Sequence, residues 1–111
     1  MNTDEVLLEV SEERMRQETL KEQGKFLFSC ADKGLSEAEK LAVLSEEMGE
    51  VSKEVVELVI DMSKLMKFRM TPEARSAAIE GAIKEYKVKA RKELIQVAAV
   101  AVAWVEALSD G

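Results

Sequence analysis

Two short runs carry oxygen donors at spacings that could do chemistry. The first is Glu46-Glu47-Met48-Gly49-Glu50 and the second is Glu93-Leu94-Ile95-Gln96. On a helix, residues three or four apart share a face, so Glu47 and Glu50 project together with Glu46 beside Glu50, and Glu93 projects with Gln96. Carboxylates gathered this way repel one another, and some keep a proton through a raised pKa unless a cation relieves the repulsion. A hard divalent ion does so: Mg²⁺, with Mn²⁺ as a substitute, takes oxygen ligands, keeps waters and is often shared with substrate phosphates. The plainer reading of Glu46, Glu47 and Glu50 is a solvated helix face in a chain with 22 acidic residues. Glu93 and Gln96 lie where the chain turns apolar on every side, so Gln96 is expected to be buried and to need polar partners.

The elements that must position these residues are helices. A highly charged first helix is expected from about Thr3 to about Cys30, with a break near Gly24. Ser36 followed by Glu39 forms a capping box that opens the second helix. That helix carries Leu41, Leu44, Met48, Val51, Val55, Leu58, Met62 and Leu65 at alternating three- and four-residue steps, a seam that packs on another helix. Thr71 can cap a third helix with Pro72 at its first position, continuing to about Leu108 with Gly81 as a weak point. The run from Val97 to Val105 could also be read as a buried strand, but its alanines and the absence of nearby turn residues favour helix. If helices two and three form an antiparallel hairpin, about 25 Å of helix separates Glu50 from Lys67 and about 31 Å separates Pro72 from Glu93. The mismatch is about one turn, so both acidic pairs can reach one level.

Composition narrows the function classes. The 111 residues suit one domain, residues 1–111, and 47% apolar with 34% charged residues is a globular balance. A net charge of −6 gives no general reason to bind a nucleic acid polymer or an anionic membrane, and a polyanionic ligand would need a local cation. The absence of His removes the usual zinc ligand and the usual neutral-pH acid–base group. Cys30 is the only cysteine, and no His is present to activate it as a nucleophile. The acidic start has no secretory character and the longest apolar stretch is too short to span a bilayer, so a soluble, cytoplasmic protein is expected. The fold expected is all-α: an antiparallel helix bundle with long second and third helices. The segment from Leu94 to Val105 is apolar around nearly its whole circumference. Two other helices of one short chain hardly cover it, so completion by oligomerisation, as a homodimer or homotetramer, is expected.

The pattern Glu46-Glu47-x-x-Glu50 followed by Glu93-x-x-Gln96 resembles the EExxE…ExxD signature of the MazG-like all-α pyrophosphohydrolases. The flanking runs from Gly24 to Ser36, Leu41 to Glu47 and Leu94 to Trp104 are similar to small MazG-like proteins of phages and bacteria. The resemblance implies Mg²⁺-dependent hydrolysis of a (deoxy)nucleoside triphosphate to the monophosphate and pyrophosphate. It implies Glu47, Glu50 and Glu93 as metal ligands, and Glu46 as a further ligand or the group that orients water; Glu46 or Glu47 would then serve the attacking water. Gln96 stands where the family has Asp. Its oxygen can coordinate a cation, but it brings no charge and accepts no proton. The stretch between the motifs is also longer than in compact members.

Around this set, Lys53 and Lys89 lie about one turn from Glu50 and Glu93 and could contact phosphate oxygens; the alternative for each is a surface lysine. Phe26, Phe28 and Trp104 could stack a nucleobase, with core packing as the alternative. Arg14 and Gln17 could close the site from the first helix. The competing functions are a catalytically silent MazG-like module that binds nucleotide or protein, motivated by Gln96, and an unrelated helical oligomerisation or adaptor protein.

Overall fold

The computed structural model describes residues 2–24, 30–32 and 34–109. Three helices make up the fold: α1 (Thr3–Glu22), α2 (Glu37–Lys67) and α3 (Pro72–Ser109). The described residues contain no strand, and the run from Val97 to Val105 is helix. Each helix starts at a side-chain cap. Asn2 Oδ1 accepts from the Glu5 N–H at 2.9 Å. Ser36 and Glu39 close the reciprocal capping box at 3.1 Å in each direction. Thr71 Oγ1 accepts from the Ala74 N–H at 3.1 Å, just ahead of the turn that Pro72 opens. α3 runs unbroken through Gly81.

α1 ends at Glu22, at the break expected near Gly24; the expected continuation toward Cys30 falls on residues 25–29, outside the described residues. Gln23 N–H bonds the Thr19 carbonyl and Gly24 N–H bonds the Lys21 carbonyl, both at 3.0 Å. Gly24 has φ +76°, a left-handed conformation that closes a helix and that glycine adopts without steric cost.

α2 and α3 form a long antiparallel hairpin. At the turn, Arg75 Nε donates to the Leu65 carbonyl at 3.2 Å and its Nη2 donates to the Phe68 carbonyl at 2.9 Å. A cation thus satisfies carbonyls at the C-terminal end of α2, where the helix dipole favours positive charge. At the far end, Trp104 Nε1 donates to Glu37 Oε2 at 2.7 Å. The pairing therefore advances along one helix as it retreats along the other, and it places Glu93 opposite Glu47. α1 lies along the C-terminal half of α3, held by Arg14 to Glu106 at 2.8 Å and by an ion pair between Arg91 and Glu9. α3 is therefore the central element, with both other helices packed on it.

Burial follows this layout. Among the described residues the buried ones are Val10, Arg14, Cys30, Lys40, Ala90, Ala99, Val100 and Ala103. Cys30, Val100 and Ala103 form a small core, with Val43, Leu44 and Trp104 packed against it. Small alanines let the helices approach closely there. The rest of the hairpin has no third helix, and the molecule is 61 Å long with a radius of gyration of 18.2 Å. A compact chain of this length would have about 13 Å. None of the described helices is long and apolar enough to cross a membrane.

Candidate metal centre

The carboxylates named from sequence lie within range of one another's charges, at a level of the hairpin that Glu13 of α1 also reaches. Glu47 on α2 is half-buried, as are Glu93 and Gln96 on α3, while Glu46 and Glu50 are exposed. Burial holds the Glu47 carboxyl above its ordinary value, and the negative charges of Glu93, Glu46, Glu50 and Glu13 push it further up. Glu93 ranks first among these charges, as expected of the residue facing Glu47 across the hairpin. The four glutamates proposed from spacing thus share one electrostatic neighbourhood, and Glu13 joins them from α1.

Glu13 and its neighbour Arg16 were not read from the sequence as site residues. Arg16 grips Glu13 with two hydrogen bonds, Nε to Oε2 at 2.7 Å and Nη2 to Oε1 at 2.5 Å. That grip raises the Arg16 guanidinium, and the Glu47 charge adds to the effect. The Glu13 side chain is 13% exposed, low for a carboxylate on a helix of charged residues. A signal did exist. The face of α1 turned inward carries Val6, Val10, Glu13, Gln17 and Leu20 at three- and four-residue steps, so polar residues interrupt an otherwise apolar stripe.

Arg14 and Gln17 were the α1 residues proposed to close the site, and Arg14 has another task. Its guanidinium is pinned by Glu18 at 2.6 Å and Glu106 at 2.8 Å, so it docks α1 onto α3. Burial lowers its pKa, but the hydrogen bonds and charges of Glu106 and Glu18 together outweigh that and leave it raised.

Beside the carboxylates, α1 and α3 enclose an open groove of about 840 Å³. Glu12, Glu13 and Arg16 line one wall and Arg91, Lys92, Ile95 and Gln96 the other. Gln96 is therefore part of the groove wall. The groove mixes both charges with apolar Val88 and Ile95, a lining suited to a ligand with an anionic end and a flat apolar end.

The remaining residues named from sequence fall outside this convergence. Lys89 is paired with Glu85 at 2.7 Å, which raises its pKa, and it lies in a shallow acidic furrow with Glu54, Glu57 and Asp61 further down the hairpin. Lys53 is exposed on α2. Trp104 packs on the Cys30–Val100–Ala103 core and spends its indole N–H on Glu37, about 16 Å of helix beyond Glu93. Phe26 and Phe28 lie outside the described residues. Cys30 is buried, and its burial raises the thiol, the opposite of an activated nucleophile.

The donor set suits a hard divalent ion: carboxylate and amide oxygens, a site part-open to water, and mutual repulsion for the ion to relieve. Among the described residues no three acidic or other ligating side chains already stand close enough to grasp one ion. The carboxylates lie instead at the range of charge interaction. No family model, curated protein or solved structure matches the chain.

Proposed function

We propose that this chain is a divalent-cation-dependent nucleoside triphosphate pyrophosphohydrolase that works as a homo-oligomer. The observation that supports this most is the facing of Glu47 and Glu93 across two helices, with Glu46, Glu50 and Glu13 close enough to lift the Glu47 pKa. A cluster this acidic in a chain of charge −6 repels a triphosphate unless a cation stands between them.

In this reading Glu47, Glu50 and Glu93 would hold Mg²⁺ or Mn²⁺, with the Gln96 oxygen as a neutral fourth donor. The ion would supply charge neutralisation at the phosphates and an acidified water. Glu46, exposed beside the cluster, orients the attacking water and takes its proton. The water oxygen bonds to the α-phosphorus, the bond from that phosphorus to the α–β bridging oxygen breaks, and pyrophosphate leaves with the bonding electron pair on that oxygen. Displacement of this kind depends chiefly on positioning and charge stabilisation, which helix-borne side chains provide. The groove beside Gln96 would take the nucleoside, with Lys92 on its wall to meet phosphate oxygens and Lys53 as a further candidate; Arg16 and Arg91 would first have to leave Glu13 and Glu9. Lys89 would first have to leave Glu85.

A catalytically silent, nucleotide-binding module is the second reading. It is favoured by the placement of the uncharged Gln96 in the groove, at the position where the resembled family carries Asp. Release of pyrophosphate across a panel of nucleotides with added Mg²⁺ separates the two. The hydrolase reading expects turnover of at least one triphosphate; binding of a non-hydrolysable analogue without any turnover selects the silent module.

A further inference from the structure

We infer that α1 is an ionic latch: it docks on α3 and lifts off as a unit while the α2–α3 hairpin stays folded, and its docking makes the outer wall of the groove. This goes beyond the proposed function, since it concerns how that wall is assembled and holds whatever the groove binds.

The helix–helix contacts differ in kind. α2 and α3 meet along an apolar seam, with Leu44, Val51, Leu58, Met62 and Leu65 half-buried on the α2 side. Cys30, Val100 and Ala103 close a core at one end of it. Among the described residues α1 packs on α3 and not on α2. Of its described side chains only Val10 and Arg14 are buried. Val6 and Leu20 are covered in part, while Leu7, Leu8 and Met15 are exposed. A 20-residue helix thus buries a single apolar side chain fully, and removal of apolar surface from water contributes little to its docking.

Charge holds the helix instead. Two arginine–carboxylate bridges cross the α1–α3 contact in opposite senses. Arg14 of α1 donates to Glu106 of α3 at 2.8 Å, and Arg91 of α3 pairs with Glu9 of α1. They engage α3 about 22 Å apart along its axis, so each resists a tilt that the other alone would allow. The Arg14 side chain is 10% exposed and little screened, whereas those of Arg91 and Glu9 are 45% and 31% exposed and open to screening by salt. At the C-terminal end of α1, Lys21 pairs with Asp32, just beyond buried Cys30. That end is tied to the segment leading into α2, so α1 lifts by swinging about it.

Docked, α1 supplies Glu12, Glu13 and Arg16 to the groove and sets the Glu13 charge near Glu47. Lifted, it takes them away and leaves Arg91, Lys92, Ile95 and Gln96 as an open face of α3. The latch therefore sets how often the groove is whole. A helix of this length is marginal on its own in water, so α1 frays when it lifts and its backbone amides report the motion.

The test is hydrogen exchange of the full chain, read by mass spectrometry at about 0.01 M and about 1 M NaCl, between which the screening length falls from about 30 Å to about 3 Å. The α1 amides are expected to exchange at least threefold faster at the higher salt, with those of the α2–α3 seam unchanged; this readout needs no variant. Glu106→Ala removes the interhelix partner of the buried Arg14 and is expected to speed α1 exchange at least tenfold, again without change in the seam. Glu12→Ala, the same loss of charge from an exposed carboxylate of α1, is expected to leave the rate within about twofold. Exchange of all three helices at one common rate, an α1 rate indifferent to salt or to Glu106→Ala, or an α1 already unprotected at the lower salt would each overturn the inference. No metal or nucleotide enters the measurement, so the hydrolase reading and this one can fail separately.

Discussion

The two ends of the hairpin are built differently. At the end holding Lys40 and Ala103, three helices meet, every buried described residue is found, and the carboxylates lie at the margin of the packed region. At the end holding Met62 and Ala82, two helices run alone and no described residue between Leu41 and Lys89 is buried. The acidic cluster thus sits beside the packed region, where Glu47 is partly desolvated and feels the charge of Glu13 on α1. The bare end is held by one seam and by Arg75 at the turn. Burial is concentrated at one end, and apolar side chains are left uncovered within one chain at the other.

The largest effect expected from breaking this contrast is on activity. Glu50→Gln or Glu47→Gln should lower pyrophosphate release by roughly 100-fold or more, with the helix content unchanged. A loss of similar size from Glu57→Gln, down the bare end, would contradict the assignment. Next comes packing. Ala103→Leu forces a large side chain into the small core it forms with Cys30 and Val100 and should cost about 1–3 kcal/mol. Ala77→Leu, on the exposed surface of the bare end, should stay within about 0.5 kcal/mol; urea unfolding of both variants checks this. Glycines sharpen the same comparison. Gly24→Ala places a Cβ at φ +76° and should destabilise by about 1 kcal/mol. Gly81→Ala, mid-helix with nothing within 4 Å of the added carbon, should stabilise by about 0.5–1 kcal/mol.

The smallest effect concerns pH. Glu47 holds its proton more readily in the folded chain than in the unfolded one, because burial and like charges raise its pKa. Its favourable contribution is therefore complete below the ordinary value of 4.5 and is lost as pH rises through the raised value. Glu47→Gln should flatten that part of the stability–pH profile. It should also melt slightly higher at neutral pH, by a few tenths of a kcal/mol per like-charged neighbour relieved, reduced further by solvent screening. A variant less active and more stable would mark these charges as held together for function.

Much of this architecture was legible in the sequence. Ser36 with Glu39, and Thr71 with Pro72, announce their helices through local hydrogen-bonding needs that any fold must meet. Glu47 and Glu93 could be brought level because an antiparallel hairpin with a short turn leaves little freedom of register. Other features were illegible because they depend on what a helix packs against. The eight-residue seam of α2 looked like one packing surface, yet Leu44, Val51, Leu58, Met62 and Leu65 turn toward α3 while Leu41, Met48 and Val55 stay exposed. A stripe wide enough for two partners looks the same in sequence as a stripe for one. The helix from Leu94 to Val105, apolar all round, is likewise covered on only part of its circumference within one chain: Ala99, Val100 and Ala103 are buried, while Leu94 and Val105 are not. α1 inverted the usual rule, burying Arg14 and leaving Leu7, Leu8 and Met15 exposed. The Val6–Val10–Leu20 spacing marks the inward face, but the burial of Arg14 goes with its ion pair to Glu106 on a helix distant in sequence, which the local pattern does not report.

The account rests on acidic side chains from separate helices acting together on one hard cation. Titration with Mn²⁺, following the free ion by electron paramagnetic resonance, tests this most directly. Saturable uptake by the wild type that is lost in both Glu47→Gln and Glu93→Gln is the result expected. Uptake unchanged in either variant, or no saturable uptake by the wild type even with a non-hydrolysable triphosphate present, would contradict it.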